Sequence, residues 1–205
     1  MATTTRKQTR MTAEQRRGQI LDVTQAIVDE RGFHAVTIDG VAREAGITRP
    51  VVYGHFEDLP GLLHALIERE ADRATAQLEA VLPKPAPGGD PVELLVGALE
   101  DWLEAVREAP ATWRMVLMPP EGAPPELHEG IAASRAEAAL HLQRLAAPEL
   151  ASGAGQTSPD PELTAHLLQS FSEEAARLLL SDPERYPIER LVRHARWVLS
   201  QFVQS

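Results

Sequence analysis

The stretch TIDGVAREAGITRPVVYGHF, residues 37–56, decides the fold of this chain. Thr37 and Thr48 each stand where they can cap a short helix. Gly46 lies between them and can adopt the positive φ that ends the first helix, after which Ile47 anchors the turn. Two short helices joined by a tight turn with a glycine are typical of a helix-turn-helix, which lays its second helix in the major groove of DNA.

Amphipathic helices are predicted on both sides of this stretch. The run Thr12-Ala-Glu-Gln15 is a capping box that predicts the start of one helix, and Gly32 predicts its end. A long helix should follow the stretch, over residues 58–82. The positions expected to be buried are Ile20, Thr24, Ile27 and Val28 in the preceding helix, and Ile38, Val41, Ala42, Ala45, Val52 and Phe56 in the helix-turn-helix.

Clusters of proline and glycine cut the rest of the chain into helical lengths, and no alternating strand pattern of useful length appears. Helices are predicted over 90–110, 126–147, 160–181 and 187–203, with a short apolar segment at 112–118 and a flexible loop at 148–159. The prediction is an all-α protein of about nine helices. We divide it into an N-terminal arm with the helix-turn-helix, 1–56, and a helical bundle, 57–205.

The charge of the chain is distributed unevenly. The formal total of −10 argues against a nucleic-acid-binding protein when it is taken whole. Residues 1–56, however, carry eight basic and six acidic side chains, a net of +2, while twelve basic and twenty-four acidic side chains leave −12 on residues 57–205. A mildly basic head on an acidic body directs phosphate to one end and keeps DNA away from the rest.

Other classes of protein find little support in the sequence. The chain has no cysteine, which excludes disulfides and thiolate chemistry and makes the reducing cytoplasm the expected location. No apolar stretch approaches the ~20 residues that span a bilayer, and the basic start has no hydrophobic run typical of a signal peptide. No zinc-helix spacing, P-loop, dinucleotide fingerprint or nucleophile elbow occurs, so we expect no membrane partner, no metal or other cofactor, and no catalytic residues.

A set of residues across this region closely resembles the DNA-binding domain of TetR-family transcriptional repressors: Gly32-Phe33, Thr37-Ile38, Ala42, Ala45-Gly46-Ile47-Thr48 and Tyr53-Gly-His-Phe56. The resemblance covers residues 12–66. It implies a homodimer that binds a palindromic operator in double-stranded DNA. It also implies that a small-molecule effector, bound within 57–205, releases the DNA, and it leaves open whether the chain represses or activates.

The second helix of the pair supplies most of the contacts to DNA that the resemblance implies. Arg49 can pair in bidentate fashion with O6 and N7 of a guanine, worth ~1–3 kcal/mol of base discrimination, and Val51 can touch a thymine methyl. Tyr53 and His55 are placed for phosphate. The alternatives are that Arg49 is a solvated helix start and that Tyr53 is half-buried packing.

Further DNA contacts are expected at two helix starts and in the N-terminal arm. Thr48 would point toward the groove, and Thr37 can donate its hydroxyl or backbone N–H to a phosphate. Three basic residues precede the first helix and would form an arm on the DNA backbone or in the minor groove, or else a disordered solubilising tail: Arg6, Lys7 and Arg10.

One residue departs from the family. Its members usually place a lysine that contacts a phosphate at the start of the fourth helix, and this chain has Leu59 there. The backbone N–H groups after Asp58 remain a possible anion site. The departure motivates an alternative function, an all-helical small-molecule-binding protein or enzyme with a vestigial DNA-binding head.

Large apolar side chains in the bundle are the candidate lining of the effector cavity. They are Trp102, Trp113, Met115, Met118 and Phe171, and the candidate polar groups are His128, His141, His166 and Glu174. Aromatic residues at helical spacing are also typical of an ordinary core, so both readings stay open.

The last two predicted helices carry wider apolar stripes than one packed face needs. An isologous four-helix contact across a two-fold axis would bury the surplus and provide the twin heads that a palindromic site requires. The candidate interface residues are Leu163, Leu167, Phe171 and Leu178 in the helix at 160–181, and Leu191, Val198, Leu199 and Phe202 in the helix at 187–203. The alternative is that both stripes pack within the monomer.

Overall fold

A computed structural model describes residues 11–82, 90–154 and 160–203, except for the side chains of residues 91, 145–154 and 202–203. All regular structure in this part of the chain is helical, which confirms the predicted all-α fold of about nine helices. The helices are α1 Ala13–Arg31, α2 Ile38–Glu44, α3 Arg49–Tyr53, α4 Leu59–Val81, α5 Pro91–Glu108, α6 Pro110–Leu117, α7 Pro125–Ala154, α8 Pro161–Ser181 and α9 Ile188–Val203, with one 3₁₀ turn at Phe33–Ala35.

The chain divides into two compact units, Met1–Glu68 and Arg69–Ser205. The division falls inside α4, whereas we predicted the domain boundary at 56/57. The first turns of α4 bury Leu62, Ala65 and Leu66, and these side chains belong to the first unit. The two units therefore divide between Glu68 and Arg69 and not at the loop that follows Phe56.

The first helix of the N-terminal unit begins as predicted. The Gln15 N–H donates to Thr12 Oγ1 at 3.1 Å, and the Thr12 N–H donates to Gln15 Oε1 at 2.9 Å. This reciprocal pair satisfies two of the amide donors that a helix start leaves without partners. The predicted stripe of α1 is fully buried, including Thr24, whose hydroxyl donates to the Ile20 carbonyl at 2.8 Å.

The turn between α2 and α3 has the predicted geometry. The Gly40 N–H donates to the Thr37 side chain at 3.0 Å, so Thr37 caps α2. Gly46 has a φ of 66°, a value that costs glycine little because it has no Cβ. The Ile47 N–H then donates to the Ala42 carbonyl at 2.9 Å and closes the turn.

The start of α3 differs from its prediction. Thr48 occupies the N-cap position, but its side chain makes no capping hydrogen bond. One of the two amides that an N-cap side chain can serve belongs to Pro50, which has no N–H. The other, the Val51 N–H, donates to the Thr48 backbone carbonyl at 2.9 Å. The Thr48 hydroxyl is therefore not used to cap its own helix.

The second unit is built around one apolar cluster. The cluster takes buried residues from α4, α5, α6, α8 and α9, and its fully buried members include Val96, Leu103, Val106, Ala176 and Ala195. Asp90 caps α5 through the Val92 N–H at 2.8 Å, and Asp160 caps α8 through the Leu163 N–H at 2.9 Å. These are the two Asp-Pro helix starts that punctuation in the sequence predicted.

Helix α7 is longer than predicted. It runs to Ala154, so the loop expected from residue 148 onward is wrong up to that point, and residues 155–159 lie outside the described part of the chain. The loop had been predicted from the Gly, Ser, Ala and Pro content of 148–159. A proline inside a helix removes a single backbone donor, and the neighbouring alanines, glutamate and leucine are strong helix formers.

A buried carboxylate ties α4 to α6 within the second unit. Glu70 is 1% exposed and accepts hydrogen bonds from Arg69 Nε at 2.7 Å and Arg73 Nη1 at 3.2 Å. The buried hydroxyl of Thr112, near the start of α6, donates to the other oxygen of this carboxylate. A buried charge is tolerated when several donors share it.

We expect Thr112→Val to destabilise the second unit by about 2 kcal/mol, because a buried carboxylate loses a donor that the methyl group cannot replace. Urea unfolding followed by tryptophan fluorescence measures this unit, since all three tryptophans lie in it. Ser172→Ala is the matched control, because the Ser172 hydroxyl donates at 2.9 Å to the neutral carbonyl of Leu168. Equal losses in the two variants would contradict the role given to Glu70.

Candidate nucleic-acid interface

Helix α3 presents one face to solvent and buries the other. Val52 is 0% exposed, while Val51 is 37% and Tyr53 53% exposed. Thr48 and Arg49, at the start of the helix, are exposed as well. The four candidate base and phosphate contacts within 48–53 therefore lie at the surface, and the residue expected to hold the helix in place is in the core.

Arg49 is engaged by an acidic residue that we did not single out. Both its Nε and its Nη2 contact the carboxylate of Asp39, in the first turn of α2. The side chains remain 63% and 52% exposed, respectively. The guanidinium is thus held at the surface by one edge.

The segment after α3 is held by Arg17 of α1. The Arg17 guanidinium lies 4.5 Å from the centre of the Phe56 ring, and its Nη1 donates to the His55 carbonyl at 3.3 Å. His55 itself is half-buried and follows the end of the helix. Tyr53, on the last turn of α3, is the more exposed of the two candidate phosphate contacts.

The start of α4 offers less to an anion than the sequence suggested. Leu59 is its first residue, Pro60 carries no N–H, and the Gly61 N–H is already bound to the Asp58 carboxylate at 2.7 Å. The Asp58 charge also repels a phosphate. The backbone donors expected after Asp58 are therefore largely consumed by the helix cap.

Among the remaining candidate contacts, Thr37 is exposed and its Oγ1 already accepts the Gly40 N–H. Its hydroxyl hydrogen can still be donated, since a hydroxyl is both donor and acceptor. The arm residues Arg6, Lys7 and Arg10 lie outside the described residues.

Sequence reasoning missed three residues that support the helix-turn-helix. They are Arg17, Asp39 and Gln19, whose Nε2 donates to the Ala45 carbonyl at 3.1 Å. Each acts between helices, and no local spacing marks such a pair.

Three of the candidate effector residues meet at the apolar cluster of the second unit. Trp102 and Trp113 meet edge to face with ring centres 4.4 Å apart. Trp113 is a buried member of the apolar cluster and donates to Gln77 Oε1 at 3.0 Å. Trp102 and Met118 are partly buried and pack against this cluster, and Trp102 donates to the Ser172 carbonyl at 3.3 Å.

Two further effector candidates lie on α7 and α8. His141 is a half-buried residue of α7. Phe171 of α8 is 38% exposed, and it directly precedes Ser172, whose carbonyl accepts the Trp102 indole N–H.

The candidate dimer residues divide into two groups. Leu163 and Leu167 of α8 are 54% and 62% exposed, and with Phe171 they recur every four residues on one face of the helix. Leu178 and Val198 are half-buried. Leu191 and Leu199 are half-buried as well, and they pack against the apolar cluster of their own unit. The Phe202 side chain lies outside the description.

The outward position on α9 belongs instead to Trp197. It is 60% exposed, and its ring stacks on His194 at a centroid distance of 5.7 Å. The stripe that we predicted for α9 did not include this tryptophan. Of the predicted stripe, Ile188, Val192 and Ala195 are buried in the apolar cluster.

The described residues contain neither a metal-binding cluster nor a helix that could span a membrane. Among the side chains that the structure describes, no three of the types His, Asp and Glu converge in a way that would hold a metal ion. No helix in 11–82, 90–154 or 160–203 combines the length and apolar character needed to cross a membrane.

Comparison with known proteins agrees with this geometry. The family model described as bacterial regulatory proteins, tetR family, matches residues 20–66. The HTH-type transcriptional activator FasR of Mycolicibacterium smegmatis is 29% identical over 99 residues, which cover 48% of this chain and 45% of FasR. The HTH-type transcriptional regulator BetI of Serratia proteamaculans is 37% identical over 70 residues, 32% of this chain and 35% of BetI.

The fold as a whole has solved counterparts. A TetR-like transcriptional regulator from Rhodococcus sp. RHA1 superimposes with a TM-score of 0.66 at 25% identity, covering 91% of this chain and 94% of that one. By sequence, the chain spans about half or less of the length of the curated relatives it matches.

The helices and the exposed face of α3 define an all-helical protein with an N-terminal helix-turn-helix. Together with the matched family model and the solved counterpart, they show that residues 20–66 form the N-terminal domain of the tetR family of bacterial regulatory proteins, in a chain with a TetR-like fold.

Two adjacent valines of α3 provide a test of its packing. We expect Val52→Ala to destabilise the N-terminal unit by about 2 kcal/mol, because it removes two methyl groups from a fully buried site. Val51→Ala should change stability by less than about 0.5 kcal/mol, since that side chain is partly solvated. Thermal unfolding followed by far-UV circular dichroism compares them, and equal effects would show that the assigned faces of α3 are wrong.

Proposed function

We propose that this chain is a DNA-binding transcriptional regulator of the cytoplasm, without catalytic activity, whose α3 reads base edges in the major groove. The observation that carries this proposal is the exposed row Thr48, Arg49, Val51 and Tyr53 on a helix anchored by buried Val52. Arginine, threonine and tyrosine are residue types that bind guanine and phosphate.

Electrostatics supports the same role. Residues 1–56 carry a net charge of +2 and residues 57–205 carry −12. DNA would therefore approach the helix-turn-helix and be repelled by the remainder. Phosphate contacts release counterions, so the affinity for DNA should fall steeply as salt rises.

We propose further that the regulator acts as a homodimer on a palindromic operator. Exposed Leu163, Leu167 and Phe171 on α8 and exposed Trp197 on α9 are apolar surfaces that a second copy can cover. Two heads would then meet successive major grooves, about 34–36 Å apart or somewhat more.

An effector would act through α6. The start of this helix is bound to α4 by the hydrogen bond from Thr112 to Glu70, and its end is bound to α8 because Arg177 Nε donates to the Leu117 carbonyl at 3.1 Å. A small molecule that binds differently to two positions of α6 would alter α4, the helix that continues into the N-terminal unit. Trp102, beside this region, would report such binding by fluorescence.

We favour repression as the outcome, with the operator released when effector binds. FasR carries the name of an activator, so the sign of regulation needs a direct measurement. A reporter gene placed under the promoter of this chain's own gene, in a strain with and without the chain, gives that sign.

The central test is a gel shift on the DNA that flanks the gene for this chain. We expect wild type to bind at low salt and Arg49→Ala to bind about 10- to 100-fold more weakly, because a bidentate guanine contact is lost. Arg31→Ala is the matched control, since Arg31 is an exposed arginine of the same unit that pairs with Glu44 at 2.6 Å. If wild type shifts none of this DNA at low salt, the result would favour the alternative, a helical small-molecule-binding protein or enzyme with a vestigial DNA-binding head.

The dimer has its own test. We expect Leu167→Glu to raise the dimer dissociation constant more than about tenfold and to weaken operator binding with it, since a charge would enter an apolar contact. Leu140→Glu on α7 is the control, because Leu140 is also exposed, at 51%. Light scattering gives the mass, and a wild-type monomer that still binds DNA would overturn the dimer proposal.

A further inference from the structure

The pair formed by Asp39 and Arg49 is unusual for a surface that should attract phosphate. Asp39 lies in the first turn of α2, two residues after Thr37, a candidate phosphate contact. A carboxylate at this place repels DNA and cancels the charge of the arginine beside it. Residues 1–56 carry a net charge of only +2, so the loss to general DNA affinity is substantial.

The geometry of the Arg49 guanidinium indicates what Asp39 contributes in return for the lower general affinity for DNA. Arginine has five N–H donors in a planar fork. Asp39 takes the edge made of Nε and Nη2. The opposite edge, made of Nη1 and the second hydrogen of Nη2, remains directed away from Asp39, and it has the spacing that O6 and N7 of guanine require.

Position in the fold agrees with this reading. Arg49 is the first residue of α3, and recognition helices contact bases mainly through their N-terminal residues. Its side chain is 63% exposed, so it is not fixed by packing. The carboxylate of Asp39 is the contact that restricts this flexible side chain before DNA arrives, which lowers the entropy lost on binding.

We propose that Asp39 is a specificity-determining residue, which positions the Arg49 guanidinium so that its outer edge reads a guanine and cannot instead settle on a phosphate. The inference rests on the proposed DNA-binding function. Asp39 lowers the affinity for DNA of any sequence and raises the discrimination in favour of guanine.

The experiment begins with the intact wild-type chain and a library of random double-stranded DNA. The site that wild type selects is then used with each base pair substituted in turn, beside a random duplex of equal length. Asp39→Asn should bind the random duplex more tightly, with a salt slope larger by about 1, because Arg49 becomes able to neutralise a phosphate. Its preference for guanine at one position of the site should fall about tenfold.

A matched control separates charge from positioning. Glu44, the last residue of α2, is the other acidic residue of this helix and pairs with Arg31. Glu44→Gln removes the same charge from the same helix, so it should raise affinity for random DNA while leaving base preference unchanged. In an Arg49→Ala background, Asp39→Asn should no longer alter base preference, since the residue that it positions is gone.

Asp39 also lies near the positive end of the α2 dipole, where an acid stabilises a helix. Asp39→Ser keeps a residue that is favourable at helix starts, and it should give the same loss of preference as Asp39→Asn, with both variants folded by circular dichroism. If wild type selects a site and both variants keep its guanine preference, the inference is overturned and the proposed function stands. If wild type selects no sequence, both are overturned.

Discussion

Neither α2, with seven residues, nor α3, with five, is long enough to be helical alone. The helix-turn-helix therefore depends on burial, and its buried side chains, including Val41 and Val52 at 0% exposure, hold both helices to a common core. The turn at Gly46 works only because this core sets the angle between them. Everything that the surface of α3 can do follows from that constraint.

Sequence signals predicted this region well because its determinants are local. Capping by Thr12 and Thr37 and the positive φ of Gly46 depend on a few neighbouring residues, so spacing alone reveals them. The unused side chain of Thr48 was equally local, since Pro50 removes one of the two amides it could cap. The presence of Pro50 two residues after Thr48 is enough to predict that the Thr48 side chain has one fewer amide to cap.

What could not be predicted depends on contacts distant in sequence. The division of α4 at Glu68 depends on where its buried leucines pack, and periodicity shows only that they are buried. On α9, the apolar stripe was visible, but the sequence does not say which side of it meets the core. The structure gives that side to Leu191 and Leu199 and leaves Trp197 outside. The partner of Arg49 was hidden for the same reason.

Two glutamates of the second unit are nearly buried and paired with arginines, although the unit as a whole is acidic. Glu70 and Glu173 are nearly buried, and each is shared by two arginines: Arg69 and Arg73 at Glu70, Arg135 and Arg177 at Glu173. Removing one partner of such a group leaves a buried charge and is costly.

Both of these carboxylate clusters also reach α6. Thr112, near its start, donates to Glu70, and the Leu117 carbonyl, at its end, accepts from Arg177, which also holds Glu173. An eight-residue helix is thus held at both ends by hydrogen bonds to members of these ionic clusters, in addition to its apolar packing. Hydrogen bonds are directional, whereas apolar contacts are not. A small displacement of α6 would therefore change the hydrogen-bond geometry at both the Glu70 and the Glu173 cluster.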